Sequence, residues 1–196
     1  MSARLAARRP RFGRRLLTLA AAAALAAGLA ACGKSNHPDT AENDGVYINA
    51  GPITYQLQVS RELNQYAVED KQYLTGLPPG AISLPSNQLW YMVSLWAKNQ
   101  TSRPVETSDS FDIVDTQGNH YYPVHVNPSV NQYAWTAQSL GPGAVEPGPD
   151  TTASFGPTQG ALLLFRLNTT VYDNRPLTLE IRGPTGKVWG TIALDL

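Results

Sequence analysis

The sequence predicts an all-β fold: an antiparallel β-sandwich of immunoglobulin-like type, with about seven to nine strands. Two observations carry that expectation. Apolar and polar residues alternate in short runs, the period of a strand with one wet face. Between the runs lie turn-forming clusters, and the 196 residues include 16 Gly and 15 Pro. That composition suits many turns better than long helices. The Cys…Trp…Cys signature of antibody domains is absent, so the architecture is expected without that family.

Val46–Ala50 is a short first strand candidate. In Ile53–Ser60 the odd positions are apolar and the even ones polar, so Ile53, Tyr55, Leu57 and Val59 should face a core. The connection from Ser60 to Leu89 holds one helical turn, around Val68 to Leu74. Leu89–Lys98 is apolar on both faces for much of its length, as a central strand is. Trp90, Met92 and Trp96 share one side of it; Leu89, Tyr91, Val93, Leu95 and Ala97 share the other. One side must be core. The other is either an exposed aromatic stripe or, as expected here, covered by the Ser60–Leu89 connection.

Phe111–Ile113 begins the next run, and Asp115-Thr116-Gln117-Gly118-Asn119 turns it into His120–Val124. Leu140-Gly141-Pro142-Gly143 and Pro147-Gly148-Pro149-Asp150 punctuate a long loop. Ala161–Asn168 follows, again apolar on both faces. Leu177–Arg182 alternates, Arg182-Gly183-Pro184-Thr185-Gly186-Lys187 is a hairpin turn, and Val188, Gly190, Ile192, Leu194 and Leu196 line one face of the last strand.

The chain begins differently. Met1–Arg15 is rich in arginine, and Leu16–Ala31 is a predominantly apolar run, mostly alanine. A spanning helix needs about 20 apolar residues, so residues 1–31 read as an export signal. The run ends in Leu29-Ala30-Ala31-Cys32, which resembles a bacterial lipobox. That resemblance implies cleavage before Cys32 and attachment of a diacylglycerol to its thiol. Acyl chains such as palmitate hold a protein stably on a membrane when two act together. The expected location is the outer, extracytoplasmic face of the cell membrane. Arg8-Arg9 and Arg14-Arg15 leave both the general and the twin-arginine export routes open. Alanine and arginine richness points to a GC-rich, actinobacterial genome. Residues 32–45 are polar after the cysteine and read as a flexible tether, with His37 solvated and the domain occupying 46–196.

All 15 acidic residues lie after Cys32, whereas six of the 15 basic ones precede it, so the chain from Cys32 onward carries a net charge of −6. An acidic surface argues against nucleic acid and against a basic patch for anionic lipid. The single cysteine excludes an intramolecular disulfide.

Several stretches in fixed order carry a resemblance. Leu89-Trp90-Tyr91-Met92-Val93-Ser94-Leu95-Trp96-Ala97-Lys98 closes on the turn Asn99-Gln100-Thr101. Phe111-Asp112-Ile113-Val114-Asp115-Thr116-Gln117-Gly118-Asn119 is an F-x-I-x-D-x-x-G hairpin. Gly156-Pro157-Thr158-Gln159-Gly160 leads into the strand at Ala161, and Asn174-Arg175-Pro176-Leu177 precedes the last hairpin. Together, over Val46 to Leu196, they resemble uncharacterised lipoprotein domains of actinobacteria and other Gram-positive bacteria. Those domains share an immunoglobulin-like fold with the mycobacterial immunoprotective extracellular protein. The resemblance implies fold and envelope location and carries over no catalytic residue.

The chain offers little that reads as chemistry. His120 and His125 are five apart, on opposite faces of a regular strand, and read as surface or turn residues. A blue-copper site needs two His, a Cys and usually a Met, and the one cysteine is assigned to lipid. Asp109, Asp112 and Asp115 recur every third residue, without EF-hand order, and read as a solvated acidic edge. No G-x-S-x-G elbow occurs. The proline in Gly141-Pro142-Gly143 removes the amide that a phosphate cradle needs. No metal, cofactor or catalytic residue is therefore expected.

Aromatic residues are the better candidates. Tyr121, Tyr122, Tyr133 and Trp135 gather around the long loop to Gly160. Loops of this length are often functional, and exposed aromatics anchor sugars and proteins. These four are the candidate ligand- or partner-binding residues. The expected function is a membrane-anchored, non-catalytic binding or assembly module with an envelope protein as partner. A cell-wall glycan-binding module is the alternative, and an envelope hydrolase the third reading. The hydrolase reading requires two or more titratable groups converging in a cleft. The sequence leaves the oligomeric state open.

Overall fold

The computed structural model describes residues 36–196; Cys32 and the expected export signal lie outside them. Its strands are β1 (Thr40–Ala41), β2 (Tyr47–Ala50), β3 (Ile53–Leu63), β4 (Gln88–Asn99), β5 (Val105–Glu106), β6 (Ser110–Val114), β7 (His120–Tyr121), β8 (Ser139–Leu140), β9 (Val145–Glu146), β10 (Ala161–Asn168), β11 (Leu177–Arg182) and β12 (Val188–Leu194). One sheet runs β1-β12-β11-β6-β7. The other runs β10-β4-β3-β2, with β9 added on β4; β5 and β8 form a small separate pair. The long pairings are antiparallel. Lettered as in an immunoglobulin domain, β3, β4 and β10 take the A, B and E places, and β6, β11 and β12 take C, F and G. The chain crosses between sheets at each step expected of that order. The fold is an antiparallel β-sandwich, as the alternation predicts.

The main core lies between the sheets. Ile48, Tyr55, Leu57, Tyr91, Val93 and Leu95 from one sheet meet Ile113, Leu179, Ile181 and Ile192 from the other. On β11 the pattern is plain: Leu177, Leu179 and Ile181 are buried while Thr178, Glu180 and Arg182 are only half so. Each large apolar side chain taken from water contributes about 1.5–3 kcal/mol before entropy is counted.

A second core covers the opposite face of β4. Trp90 and Met92 are buried there with Leu63, Tyr73, Leu74, Leu162 and Leu164. The 64–87 connection, with its helical turn at Lys71–Leu74, forms the lid. The stripe is therefore covered, except at Trp96, which is half-buried. The Asn131 side chain clips the long loop onto that lid, donating to the carbonyls of Tyr73 (3.1 Å) and Thr75 (3.0 Å).

Three expectations need correction. The segment read as a flexible tether is docked over its second half. Thr40–Ala41 pairs parallel with Thr191 and Ile192 of β12, and Ala41 is buried in the main core. The outer edge of β12 exposes amides that need partners. The Asp39 backbone carbonyl accepts from the Thr191 N–H at 2.9 Å, and alanine is small enough to slide beneath. His37 lies against the Tyr47 ring, at 5.4 Å between centroids. The alternation of β3 also breaks. A bulge between Leu57 and Val59 shifts its register on β4, which turns Ser60 inward and sets Val59 against the second core. One inserted residue exchanges the two faces of a strand. Finally, β7 stops at Tyr121. Pro123 carries the chain across to the other sheet, where the Val124 N–H donates to the Leu164 carbonyl of β10 at 2.7 Å.

Candidate functional site

The long stretch from Tyr122 to Gly160 is an ordered construction on the edge of β10. After Pro123 and Val124 it loops away and returns, and the Trp135 N–H donates to the Leu162 carbonyl at 2.9 Å. It then passes through β8 and β9 and one helical turn, Thr152–Phe155. Two clefts flank this return.

The first cleft, of about 370 Å³, lies beside β10 and is lined by Phe111, Trp135, Leu162 and Leu164, among others. Asp109 and His125 also line it, both exposed and not hydrogen-bonded to each other. The second, of about 540 Å³, lies on the other side, between Tyr133–Leu140 and Ala144–Thr151, with Glu146 in its wall. Both volumes fall in the range of small-molecule sites.

Glu146 reaches the second cleft through a chain of local causes. Asn99, fully buried at the end of β4, donates through Nδ2 to the carbonyls of Leu140 (2.8 Å) and Arg103 (2.7 Å). Its backbone N–H donates to the Ala144 carbonyl at 3.0 Å. These bonds fold Leu140–Ala144 back so that β9 can pair with β4, Glu146 opposite Ala97. Gln138 is held by two bonds to Thr107, one through each backbone group. So placed, its Nε2 donates to Glu146 Oε2. Glu146 is 7% exposed. Burial pushes its carboxyl above the ordinary 4.5, and the Gln138 amide offsets only part of that.

A different cluster sits on the outer face of the sheet at β11, β6 and β7. Asp112 and Glu180 are directly opposite each other across β6 and β11, where two carboxylates would repel. Arg182 lies between them. Its Nε and Nη2 donate to Asp112 at 2.6 and 3.1 Å, and Nη2 also donates to Glu180. His120 Nδ1 stands 2.5 Å from Asp112 Oδ2. Burial raises the Asp112 carboxyl, but Arg182 and then His120 outweigh it and hold it below its ordinary 3.8. Asp112, His120 and Glu180 converge closely enough to suggest a metal site. A guanidinium on both carboxylates does not fit one, because a cation would have to displace it. The cluster is an ion-pair network.

The expected acidic edge is thereby corrected. Asp109 is exposed, but Asp112 is fully buried and Asp115 is 5% exposed. Asp115 accepts from the backbone amides of Gln117 and Asn119 and from the side chains of Asn119 and Asn174. Here the acids pin the hairpin turn.

The four aromatics do not form one surface. Tyr121 is buried in the main core, its hydroxyl 3.4 Å from Asp115. Tyr133 is buried in the second core against Tyr73, at 5.0 Å, and donates to Gln72. Trp135 packs between Tyr55 and Phe111 and donates through Nε1 to the Ser108 carbonyl at 3.0 Å. Tyr122 alone is largely exposed, stacked over His120. Tyr133 and Trp135 still show an edge to the second and first cleft respectively. Glu146 escaped the sequence reading. Among the turn residues Pro147, Gly148 and Pro149 it looks like a solvated loop acid.

Fold and clefts together define an antiparallel β-sandwich with two clefts built by the long loop that leads into its E strand. No protein-family model matches the chain, and no curated protein does. Among solved structures it is similar to the yjhA protein from Bacillus subtilis, with a TM-score of 0.52 and 10% identity over 79% of this chain and 99% of that one. It is also similar to an uncharacterized beta-sandwich protein from Clostridium difficile 630 (TM-score 0.41, 12% identity, 84% and 98% covered). A conserved hypothetical protein from Bacillus anthracis gives 0.42 and 15%, with 75% and 92% covered. At 10% identity the likeness to the yjhA protein speaks for the fold alone.

Proposed function

We propose that the chain is a lipid-anchored extracytoplasmic binding module that works without catalysis. One observation carries the binding part: the cleft of about 540 Å³ holds a single carboxylate, Glu146, and no second acid, histidine or lysine in its lining. A hydrolase needs two titratable groups that converge on one bond. Tyr133, the other titratable residue there, spends its hydroxyl on Gln72. The remaining buried acids are occupied with structure: Asp70 by Arg61, Asp112 by Arg182 and His120, Asp115 by its turn.

The anchoring part rests on the lipobox-like Leu29-Ala30-Ala31-Cys32 and the arginine-rich, alanine-rich residues before it. Among the described residues, no helix is long and apolar enough to cross a membrane. An anchored module profits from confinement, because weak contacts gain effective concentration when partners share a surface. The test is fractionation of cells carrying the wild type and Cys32→Ala. Wild type should pellet with membranes and dissolve in detergent; the variant should be released or remain unprocessed. Equal membrane retention and equal mobility would overturn the anchor.

A further inference from the structure

Four carboxylates are buried among the described residues: Asp70, Asp112, Asp115 and Glu146. Three are fully provided for. Asp70 takes the Arg61 guanidinium at 2.5 Å and the Asn64 N–H at 2.8 Å. Asp112 has Arg182 and His120, and Asp115 has two backbone amides and two side-chain amides. Glu146 has one donor, the Gln138 amide, on Oε2. Among the described residues its Oε1 takes no hydrogen bond and is not sealed off, since Ser60 Oγ is the one enclosed side-chain atom there left without a partner. A carboxylate taken from water with so few donors weakens a fold. A glutamine or methionine would serve packing better. Glu146 is a wall residue of the second cleft.

We propose that this cleft binds a neutral, hydroxyl-rich ligand, a saccharide unit, with Glu146 Oε1 accepting a ligand hydroxyl. This rests on the binding-module reading above and names its ligand class. The lining decides the chemistry. It contains no Lys, Arg or His, and its carboxylate repels anions, so phosphate and carboxylate ligands are excluded. Gln132, Gln138, Thr136 and Ser139 present donors and acceptors side by side. Hydroxyls use both, whereas an ammonium only donates and would leave the Gln132 amide donor idle.

The experiment titrates the full chain, purified in detergent, with neutral oligosaccharides of glucose, mannose, galactose and N-acetylglucosamine. Cadaverine and inorganic phosphate serve as amine and anion probes. At least one oligosaccharide should bind one to one. Glu146→Gln should weaken it tenfold or more while the melting temperature holds or rises. Ser139→Trp, on an exposed strand position at the cleft, should block the same binding. Failure of every oligosaccharide overturns the proposal, as does equal binding by Glu146→Gln, or binding of cadaverine or phosphate instead. Release of reducing ends from a bound probe would overturn the non-catalytic reading instead, so the two failures are told apart.

Discussion

Asp112 and Glu146 are both buried carboxylates, held on opposite terms. Asp112 carries its neutralising arginine with it, so removing that arginine leaves the buried charge with His120 as its one remaining side-chain partner among the described residues. Arg182→Met should cost about 3–5 kcal/mol, the usual penalty for halving a buried ion pair, read as a lowered denaturant midpoint at unchanged slope. Glu146→Gln should cost nothing by the same measurement, because no cation is lost. Trp135 makes the opposite point about exposure. Its ring fills space between Tyr55 and Phe111 and its indole satisfies a buried carbonyl. Trp135→Ala should therefore lower stability by about 3 kcal/mol, whatever it does to binding. The sequence singled out the four loop aromatics as a group. Whether each faced water or core was not legible, because a loop has no period from which to read a face.

The longer strands were legible, whereas the two-residue strands β1, β5, β8 and β9 were not. Ala161–Asn168 and Leu177–Arg182 have the bounds that alternation and turns predict. The departures come from pairing. β1 is two residues long and has no pattern of its own; the free edge of β12 creates it. Ala41→Asp would place a charge in the main core. It should unpair β1, read as loss of hydrogen-exchange protection at the Thr191 N–H, while β11–β12 protection persists. The β2–β3 hairpin depends on Gly51, with φ 63° in a two-residue turn between Ala50 and Ile53. A Cβ there would stand 2.5 Å from the Trp189 ring. Gly51→Ala should thus destabilise both by backbone strain and by displacing Trp189, with a loss of about 1–3 kcal/mol.

The acids also set how the folded chain responds to pH. Burial raises Asp70, Asp112 and Asp115, but their donors outweigh it and hold each below its ordinary 3.8. Such a group releases its proton more readily when folded. Its stabilisation is full above 3.8 and is lost as pH falls through its lowered value. Glu146 is shifted the other way, above 4.5, by burial. It binds its proton more tightly when folded, so stability rises as pH falls from that raised value toward 4.5. Asp44, raised by burial and then by Asp195, acts in the same sense. Wild type should therefore gain stability on mild acidification before losing it in stronger acid. Glu146→Gln should flatten the first limb and leave the second, as chemical denaturation at stepped pH would show.

Composition, alternation and turn residues were enough for the all-β class, for most strands and for the hairpins at Gly118 and Gly186. These depend on interactions within a few residues, and a strand's two faces are written in its period. The docking of Thr40–Ala41 and the reversal of β3 at its bulge came from contacts between distant segments. So did the burial of Asp112 and Glu146. An acid in a polar stretch looks solvated until another strand is laid beside it, because burial depends on which surfaces meet, and donors arrive from wherever the fold brings them. Glu146 gained a wall, one donor and a cleft only when Asn99 turned its loop back onto β4.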